Sequence, residues 1–180
     1  MIRTTLFTIL FGLITSNAAT APTAFPGAEG AGAEALGGRG GDVYRVTNLI
    51  DDGPGSLRWG IDEADGPRTI LFDVSGTIVL EDTLRIDQPY LTIAGQSAPG
   101  DGIALIGHTV SVQNTHNVIV RFIRARAGNI NCPDFEDDAF HVVNASNVIV
   151  DHVSASWSVD ECLSVTHSDN VTVQWSIIAE

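Results

Sequence analysis

The sequence predicts an all-β fold of stacked parallel coils, and two observations lead to this prediction. Short runs rich in β-branched residues recur and break at Gly, Asn, Asp or Pro, as at 76–80 (GTIVL) and 147–150 (NVIV). Residues 137–150 (DDAFHVVNASNVIV) and 160–173 (DECLSVTHSDNVTV) align without a gap at an offset of 23 residues. A β-sandwich predicts no such register, so a solenoid explains both observations better.

The spacing of related segments indicates the length of each coil. Tyr90, Asn117, Asn147 and Asn170 begin similar segments at intervals of 27, 30 and 23 residues. Leucine-rich repeats are the nearest alternative, but their leucine signature is absent. Strands of neighbouring coils then lie parallel and about 4.8 Å apart, which predicts an asparagine ladder from Asn147 to Asn170. The extra residues of the longest coil are expected to bulge at 128–136.

Residues 57–64 (LRWGIDEA) are the segment for which a helix is plausible. A short helix at this point is expected to cap the N-terminal end of the coil stack. The three tryptophans, Trp59, Trp157 and Trp175, could stack on sugar rings. We expect core packing for at least two of them.

Residues 1–21 have the pattern of a secretory signal peptide. Arg3 precedes an apolar run from Leu6 to Ile14 and a small-residue stretch that ends at Ala21. The run is too short to span a membrane, and the alternatives are a buried first strand or a membrane anchor. We therefore expect residues 22–180 to form one exported, extracellular β-helix domain.

The two cysteines, Cys132 and Cys162, allow one disulfide in an exported chain. A buried free thiol at Cys162 is the alternative. The formal net charge of −13 argues against nucleic acid and against an anionic membrane surface as partners. It also means that an anionic substrate needs a cation to mediate its contact. We expect a monomer.

The repeat superimposes two acidic pairs. At the offset of 23 residues Asp137 lies over Asp160, and Asp138 lies over Glu161. Two carboxylates at about 5 Å repel by roughly 3 kcal/mol at an effective dielectric constant near 20. A bound cation removes this repulsion, and ligands that are all carboxylate oxygens suit Ca²⁺ or Mg²⁺. The alternatives are four solvated carboxylates, or the acid and base of a glycoside hydrolase.

A series of longer motifs occurs in order along residues 24–180. They are AFPGAEG (24–30), GGRGG (37–41), VTNLIDDGPGSLR (46–58), FDVSGTI (72–78), TIAGQSAPG (92–100), DA (138–139), VIVDH (148–152) and DE (160–161). In this order they resemble the pectate lyase family, secreted microbial right-handed parallel β-helices. The family cleaves polygalacturonate, the anionic polysaccharide of pectin, by Ca²⁺-assisted β-elimination.

This resemblance implies a calcium site at Asp138 and Asp160. In many family members a further aspartate lies four residues after the second ligand, and Ser164 occupies that position here. Glu161 is a candidate to compensate for it, and so is Glu136 on the expected bulge. The predicted metal site is therefore Asp138, Asp160 and Glu161, with Ca²⁺ as the cofactor.

The resemblance also implies a catalytic arginine on a coil beyond the calcium region. Arg121, Arg124 and Arg126 precede that region and do not match it, and strand alternation places the last two on one face. No catalytic base is therefore assigned. We expect an N-terminal portion of a lyase, truncated at the C-terminal side, that alone is weakly active or inactive and poorly soluble.

Two other functions fit a β-helix with paired carboxylates. One is a glycoside hydrolase such as a polygalacturonase, which predicts saturated products and no calcium requirement. The other is a non-catalytic polysaccharide-binding protein, which predicts binding without bond cleavage.

Overall fold

The computed structural model describes residues 22–129 and 138–179. The expected signal peptide, Glu136, Asp137 and the Cys132 partner of the expected disulfide lie outside these residues. The described elements are β1 (Asp42–Val46), α1 (Leu57–Asp62), β2 (Arg68–Phe72), β3 (Gly76–Val79), β4 (Leu84–Ile86), β5 (Leu91–Ala94), β6 (Ile103–Ile106), β7 (Val110–Gln113), β8 (His116–Arg121), β9 (Ile123–Arg126), β10 (Phe140–Val143), β11 (Ser146–Asp151), β12 (Ser154–Ala155), β13 (Leu163–Thr166), β14 (Asp169–Gln174) and β15 (Ile177–Ile178).

The strands form three parallel sheets. Sheet 1 has the order β1-β2-β5-β8-β11-β14, sheet 2 the order β3-β6-β9-β12-β15, and sheet 3 the order β4-β7-β10-β13. The chain visits the sheets in turn, so β2–β4, β5–β7, β8–β10 and β11–β13 are successive coils that each add one strand to every sheet. The predicted parallel β-helix is confirmed.

The register agrees with the offset read from the repeat. Phe140 pairs with Leu163, and Val148 pairs with Val171, each 23 residues apart. The Nδ2 atom of Asn170 donates to the Oδ1 atom of Asn147 at 3.1 Å. Both asparagines have left-handed backbones, with φ of 53° and 54°, a conformation that Asn tolerates better than most residues. The predicted asparagine ladder is confirmed.

Helix α1 closes the N-terminal end of the solenoid, as expected. The backbone N–H of Trp59 donates to the Oγ atom of the N-cap residue Ser56 at 3.1 Å. Leu57 and Ile61 are buried in the same core cluster as Val46, the last residue of β1. Among the described residues no helix is long and apolar enough to cross a membrane.

The expectation that at least two tryptophans pack in the core is wrong. Trp157 and Trp175 are 65% and 70% exposed, whereas Trp59 on α1 is half-buried. Trp157 and Trp175 have φ of 59° and 50°, so they lie at left-handed turn positions and not within strands. At these corners the side chain points away from the coil interior.

An N-terminal strap, defined as residues 24–41, crosses the outer face of sheet 1. Its Ala35 packs on Ile119 of β8 and Ile149 of β11, which are buried although they face away from the coil interior. The backbone N–H of Gly32 donates to the Oγ1 atom of Thr172 on β14 at 2.9 Å. That of Gly38 donates to Thr92 on β5, also at 2.9 Å. The strap therefore shields Ile119 and Ile149 on the outer face of sheet 1 from solvent.

We expect Gly32→Ala to lower the free energy of unfolding by about 1–3 kcal/mol, because it overpacks this contact. A Cβ at Gly32 would lie 2.1 Å from the carbonyl oxygen of Val148. Urea unfolding followed by circular dichroism measures the change. Ala31→Ser, which adds one atom at an exposed neighbour, is the control, with an expected change within about 0.5 kcal/mol. Equal stability of the two variants would contradict the close strap contact.

Candidate metal centre

A groove of about 460 Å³ lies on the outer face of sheet 3. One row of its outward side chains comes from four successive strands that pair in register, namely Arg85, Ser111, His141 and Ser164. Their strand neighbours Leu84, Val110 and Phe140 are buried in the coil interior. Strand alternation thus separates an apolar interior from a polar groove floor.

Three carboxylates converge at one end of this groove. Asp138, Asp160 and Glu161 each offer a carboxylate oxygen, and these oxygens all lie within 4.8 Å of one another. Asp138 lies two residues before β10, Glu161 occupies the matching position before β13, and Asp160 precedes Glu161. We call these three residues the acidic cluster.

Backbone hydrogen bonding between the two coils sets the geometry of the acidic cluster. The N–H of Ala139 donates to the carbonyl oxygen of Glu161 at 3.1 Å. The N–H of Glu161 donates to the Oδ1 atom of Asp138 at 3.2 Å. The expected superposition of Asp138 on Glu161 is therefore present, whereas Asp137, expected over Asp160, is not among the described residues.

Asp138 is the anchored member of the acidic cluster. Only 9% of the residue is exposed, and its Oδ2 atom accepts a hydrogen bond from the Oγ atom of Ser164. The Nδ1 atom of His141 lies 3.9 Å from the same oxygen. Ser164, where the family resemblance leads one to expect an aspartate, therefore supplies a donor that orients Asp138. It adds no charge.

Glu161 carries the electrostatic strain of the acidic cluster. Its hydrogen bonds to Asp138 and Asp160, together with the negative charge of both neighbours, raise the pKa of this exposed carboxyl above its ordinary value of 4.5. A shared proton relieves the repulsion between like charges, and a cation would do the same.

The donor set suits a hard cation. Ca²⁺ binds oxygen ligands at 2.3–2.6 Å, so two oxygens that share one ion lie within about 5 Å of each other. The 4.8 Å limit within the acidic cluster meets that requirement. The structure thus brings together all three residues predicted to bind metal. Their role as ligands remains a prediction.

The arginines singled out in the sequence lie away from the groove. Arg121 pairs with buried Asp151 on sheet 1, with 2.7 Å between its Nη2 atom and the Oδ2 atom of Asp151. Arg124 and Arg126 point outward from sheet 2, which confirms that they share a face. Arg126 donates to the Oγ atom of Ser154 at 2.8 Å. None of these three arginines lines the groove that holds the acidic cluster.

Sequence reasoning missed Arg85, which does line the groove. Its position between Leu84 and Ile86 in a three-residue strand marks it as outward-facing, with the burial pattern buried, exposed, buried. In the sequence, the alternation of apolar and charged residues at 84–86 was the signal that Arg85 faces outward. The sheet to which so short a strand belongs is not readable from the sequence.

The proteins to which this chain is similar are named as probable pectate lyases. No family model matches the chain. A probable pectate lyase C of Emericella nidulans is 49% identical over 176 residues, which cover 97% of this chain and 41% of that protein. The Aspergillus terreus protein of the same name is 44% identical over 95% of this chain and 40% of its own length. A probable pectate lyase 16 of Arabidopsis thaliana is 30% identical over 80% of this chain.

One solved structure is also similar to this chain. The crystal structure of jun a 1, the major allergen from cedar pollen, matches 80% of this chain and 46% of its own, with a TM-score of 0.67 and 25% identity. Fold and site together define a parallel β-helix protein with an acidic cluster at one end of a surface groove. Over nearly its whole length the chain is similar to proteins named probable pectate lyase C. It spans about two fifths of the length of the curated relatives that it matches.

We expect Glu161→Gln to raise the melting temperature of the chain in excess chelator at neutral pH, because it removes one of three converging charges. A raised pKa means that the folded state binds the proton more tightly than the unfolded chain. Stability conferred by this proton is therefore lost as the pH rises from about 4.5 through the raised pKa. The variant should lack this fall.

Thermal unfolding followed by circular dichroism over a pH series measures the effect. Glu34→Gln, at an exposed position of the N-terminal strap, removes the same charge elsewhere and is the matched control. If Glu161→Gln and Glu34→Gln shifted the melting curve equally, repulsion within the acidic cluster would be disproved.

Proposed function

We propose that this chain contributes the calcium-binding part of a pectate lyase that cleaves polygalacturonate by β-elimination. The observation that carries the proposal is the convergence of three carboxylate oxygens within 4.8 Å at one end of a surface groove. The proteins named pectate lyases that match nearly the whole chain support it. They are longer than this chain, so the activity of a whole protein is itself part of the proposal.

Asp138, Asp160 and Glu161 would hold the ion. Asp138 is already oriented by Ser164 and by the backbone N–H of Glu161, so it needs no rearrangement to act as a ligand. Asp160 and Glu161 are exposed to the groove and would complete the protein's share of the ligands. Bound Ca²⁺ would contact a uronate carboxylate and withdraw electrons from it, which makes the proton on the adjacent C5 more acidic.

A bridging cation also accounts for the charge of the chain. A protein with a formal net charge of −13 repels a polyanion unless a cation mediates the contact. In the elimination the C5 proton leaves, the bond from C4 to the leaving oxygen breaks, and a C4–C5 double bond forms. We assign the proton acceptor to no residue, since Arg85, the arginine that lines the groove among the described residues, lies two strands away from the strand that follows Asp138.

We further propose that the protein is exported and meets pectin outside the cell. The support is the pattern of residues 1–21, an n-region with Arg3, an apolar run and a small-residue end. Expression with this segment intact, followed by mass spectrometry of the protein in the medium, tests the proposal. A mature N-terminus near residue 22 is the expected result, and retention of residues 1–21 would contradict it.

Elimination is best tested in a chimera, because the chain spans two fifths of its relatives. Residues 22–180 would replace the matching part of the Emericella nidulans protein, to which the chain is 49% identical. The assay follows the ultraviolet absorbance of unsaturated uronide released from polygalacturonate, with calcium and then with excess chelator. We expect a calcium-dependent rise, and Asp160→Asn should lower the rate by about tenfold or more.

The unmodified relative is the positive control, and Asp65→Asn, an exposed aspartate outside the groove, is the matched charge control. Calorimetric titration of Ca²⁺ into the 180-residue chain tests the metal site independently of catalysis. New reducing ends that persist in chelator without absorbance would indicate a hydrolase. Binding without cleavage would indicate a non-catalytic protein.

A further inference from the structure

We propose that Arg85 forms a second carboxylate subsite for a bound polyuronate, two strands from the acidic cluster in the same groove on sheet 3. This proposal rests on the proposed function, because it assumes a polymer with a carboxylate on every sugar. It adds a specificity residue that acts through its own contact with the substrate.

The position of Arg85 places it in the same groove as the acidic cluster. Leu84 and Ile86 are buried in the interior, and the Arg85 side chain between them is 48% exposed. Arg85 lines the groove together with Asp138 and the other members of the cluster. The paired register of β4, β7 and β10 puts Arg85 two strands below His141, about 10 Å away at the usual strand spacing.

Charge divides the groove into two ends. One end holds three carboxylates, which need a cation before they can meet an anionic polymer. The other end has the guanidinium of Arg85, which can bind a carboxylate directly through a bidentate pair of hydrogen bonds. One uronate carboxylate can therefore be held through the ion at the acidic cluster while another, farther along the same polymer, is held by Arg85.

The ion pair between Arg85 and Asp82 leaves the Arg85 guanidinium available to bind a substrate carboxylate. Its Nη1 atom lies 3.2 Å from the Oδ2 atom of Asp82, and the two side chains are 48% and 67% exposed. Exposed ion pairs of this kind are weak, so a substrate carboxylate competes well with Asp82. Asp82 is also engaged elsewhere, since its Oδ1 atom accepts the N–H of Thr83 at 2.7 Å. The guanidinium has five N–H donors and can contact both carboxylates at once.

The floor between the two ends is polar. Ser111 on β7 donates from its Oγ atom to the Oε1 atom of Gln113 at 3.1 Å, which keeps both side chains close to the sheet. Ser111 is only 3% exposed, so it does not project into the path of a bound polymer. His141 on β10 follows, with its Nε2 atom 3.1 Å from the Oγ1 atom of Thr166. Hydroxyl-rich sugars are suited to such a floor.

The experiment measures the binding of oligogalacturonates of increasing length to the 180-residue chain in Ca²⁺, by calorimetry. We expect Arg85→Gln to weaken binding of the long oligomers by about tenfold, and to leave the shortest oligomer that binds unchanged. Asp82→Asn, which removes the competing acceptor, should strengthen binding of the long oligomers by about two- to fivefold. Fully methyl-esterified oligomers, which lack the carboxylates, should not distinguish Arg85→Gln from wild type.

Arg45→Gln is the matched control. Arg45 is also an exposed arginine in a surface ion pair, 2.6 Å from Asp73, but it lies on β1 of sheet 1 and outside the groove. Circular dichroism verifies that both variants are folded, and calcium titration verifies that the acidic cluster is intact.

Three results would overturn the Arg85 subsite. Equal affinities for Arg85→Gln, Arg45→Gln and wild type at every length, with binding still calcium-dependent, would remove the subsite and leave the proposed function standing. Loss of Ca²⁺ affinity in Arg85→Gln would show that Arg85 acts through the acidic cluster. Failure of the folded wild-type chain to bind any oligomer, although it still binds Ca²⁺, would overturn the Arg85 subsite, whereas the proposed function is decided by the chimera assay.

Discussion

Parallel backbone hydrogen bonding between successive coils is the constraint on which the rest of this structure depends. It pairs Phe140 with Leu163 and Val148 with Val171, so that residues 23 positions apart lie one strand spacing from each other. The same pairing superimposes Asp138 on Glu161, whether or not their charges repel. Burial of the apolar interior drives the stacking, and the acidic cluster follows from a register that the core determines.

Repeated left-handed turns keep the corners of the coils aligned. Asn117, Asn147 and Asn170 share positive φ at one corner, and Phe122, His152 and Trp175 share it at another. The rings of Phe122 and His152 stack with 4.5 Å between their centroids. With these corners tight and uniform, variation is concentrated at the remaining corner, before β10 and β13, where Asp138 and Asp160 lie. The acidic cluster therefore lies next to a rigid sheet, at the corner whose length and sequence vary between coils.

The outer faces of the sheets have separate uses. The N-terminal strap covers the apolar outer face of sheet 1, where Asp151 is fully buried and bonded to Arg121, Gln174 and His152. A buried charge that is fully paired in this way fixes the packing of its surroundings. Sheet 3 has no such cover among the described residues, and its outward side chains are polar apart from Val143. The covered face thus supports the fold, and the open face is left for a ligand.

The sequence by itself determined the coil length, the strand register, the asparagine ladder and the meeting of Asp138 with Glu161, because a gapless repeat converts directly into spatial superposition. Only the tertiary structure decided that Trp157 and Trp175 are exposed, that Ser164 orients Asp138, and that Arg85 shares the groove with the acidic cluster. These features depend on which way the chain turns at each corner and on which sheet a short strand joins. Strand periodicity distinguishes inside from outside, but it does not identify the face of the solenoid to which an outward residue belongs.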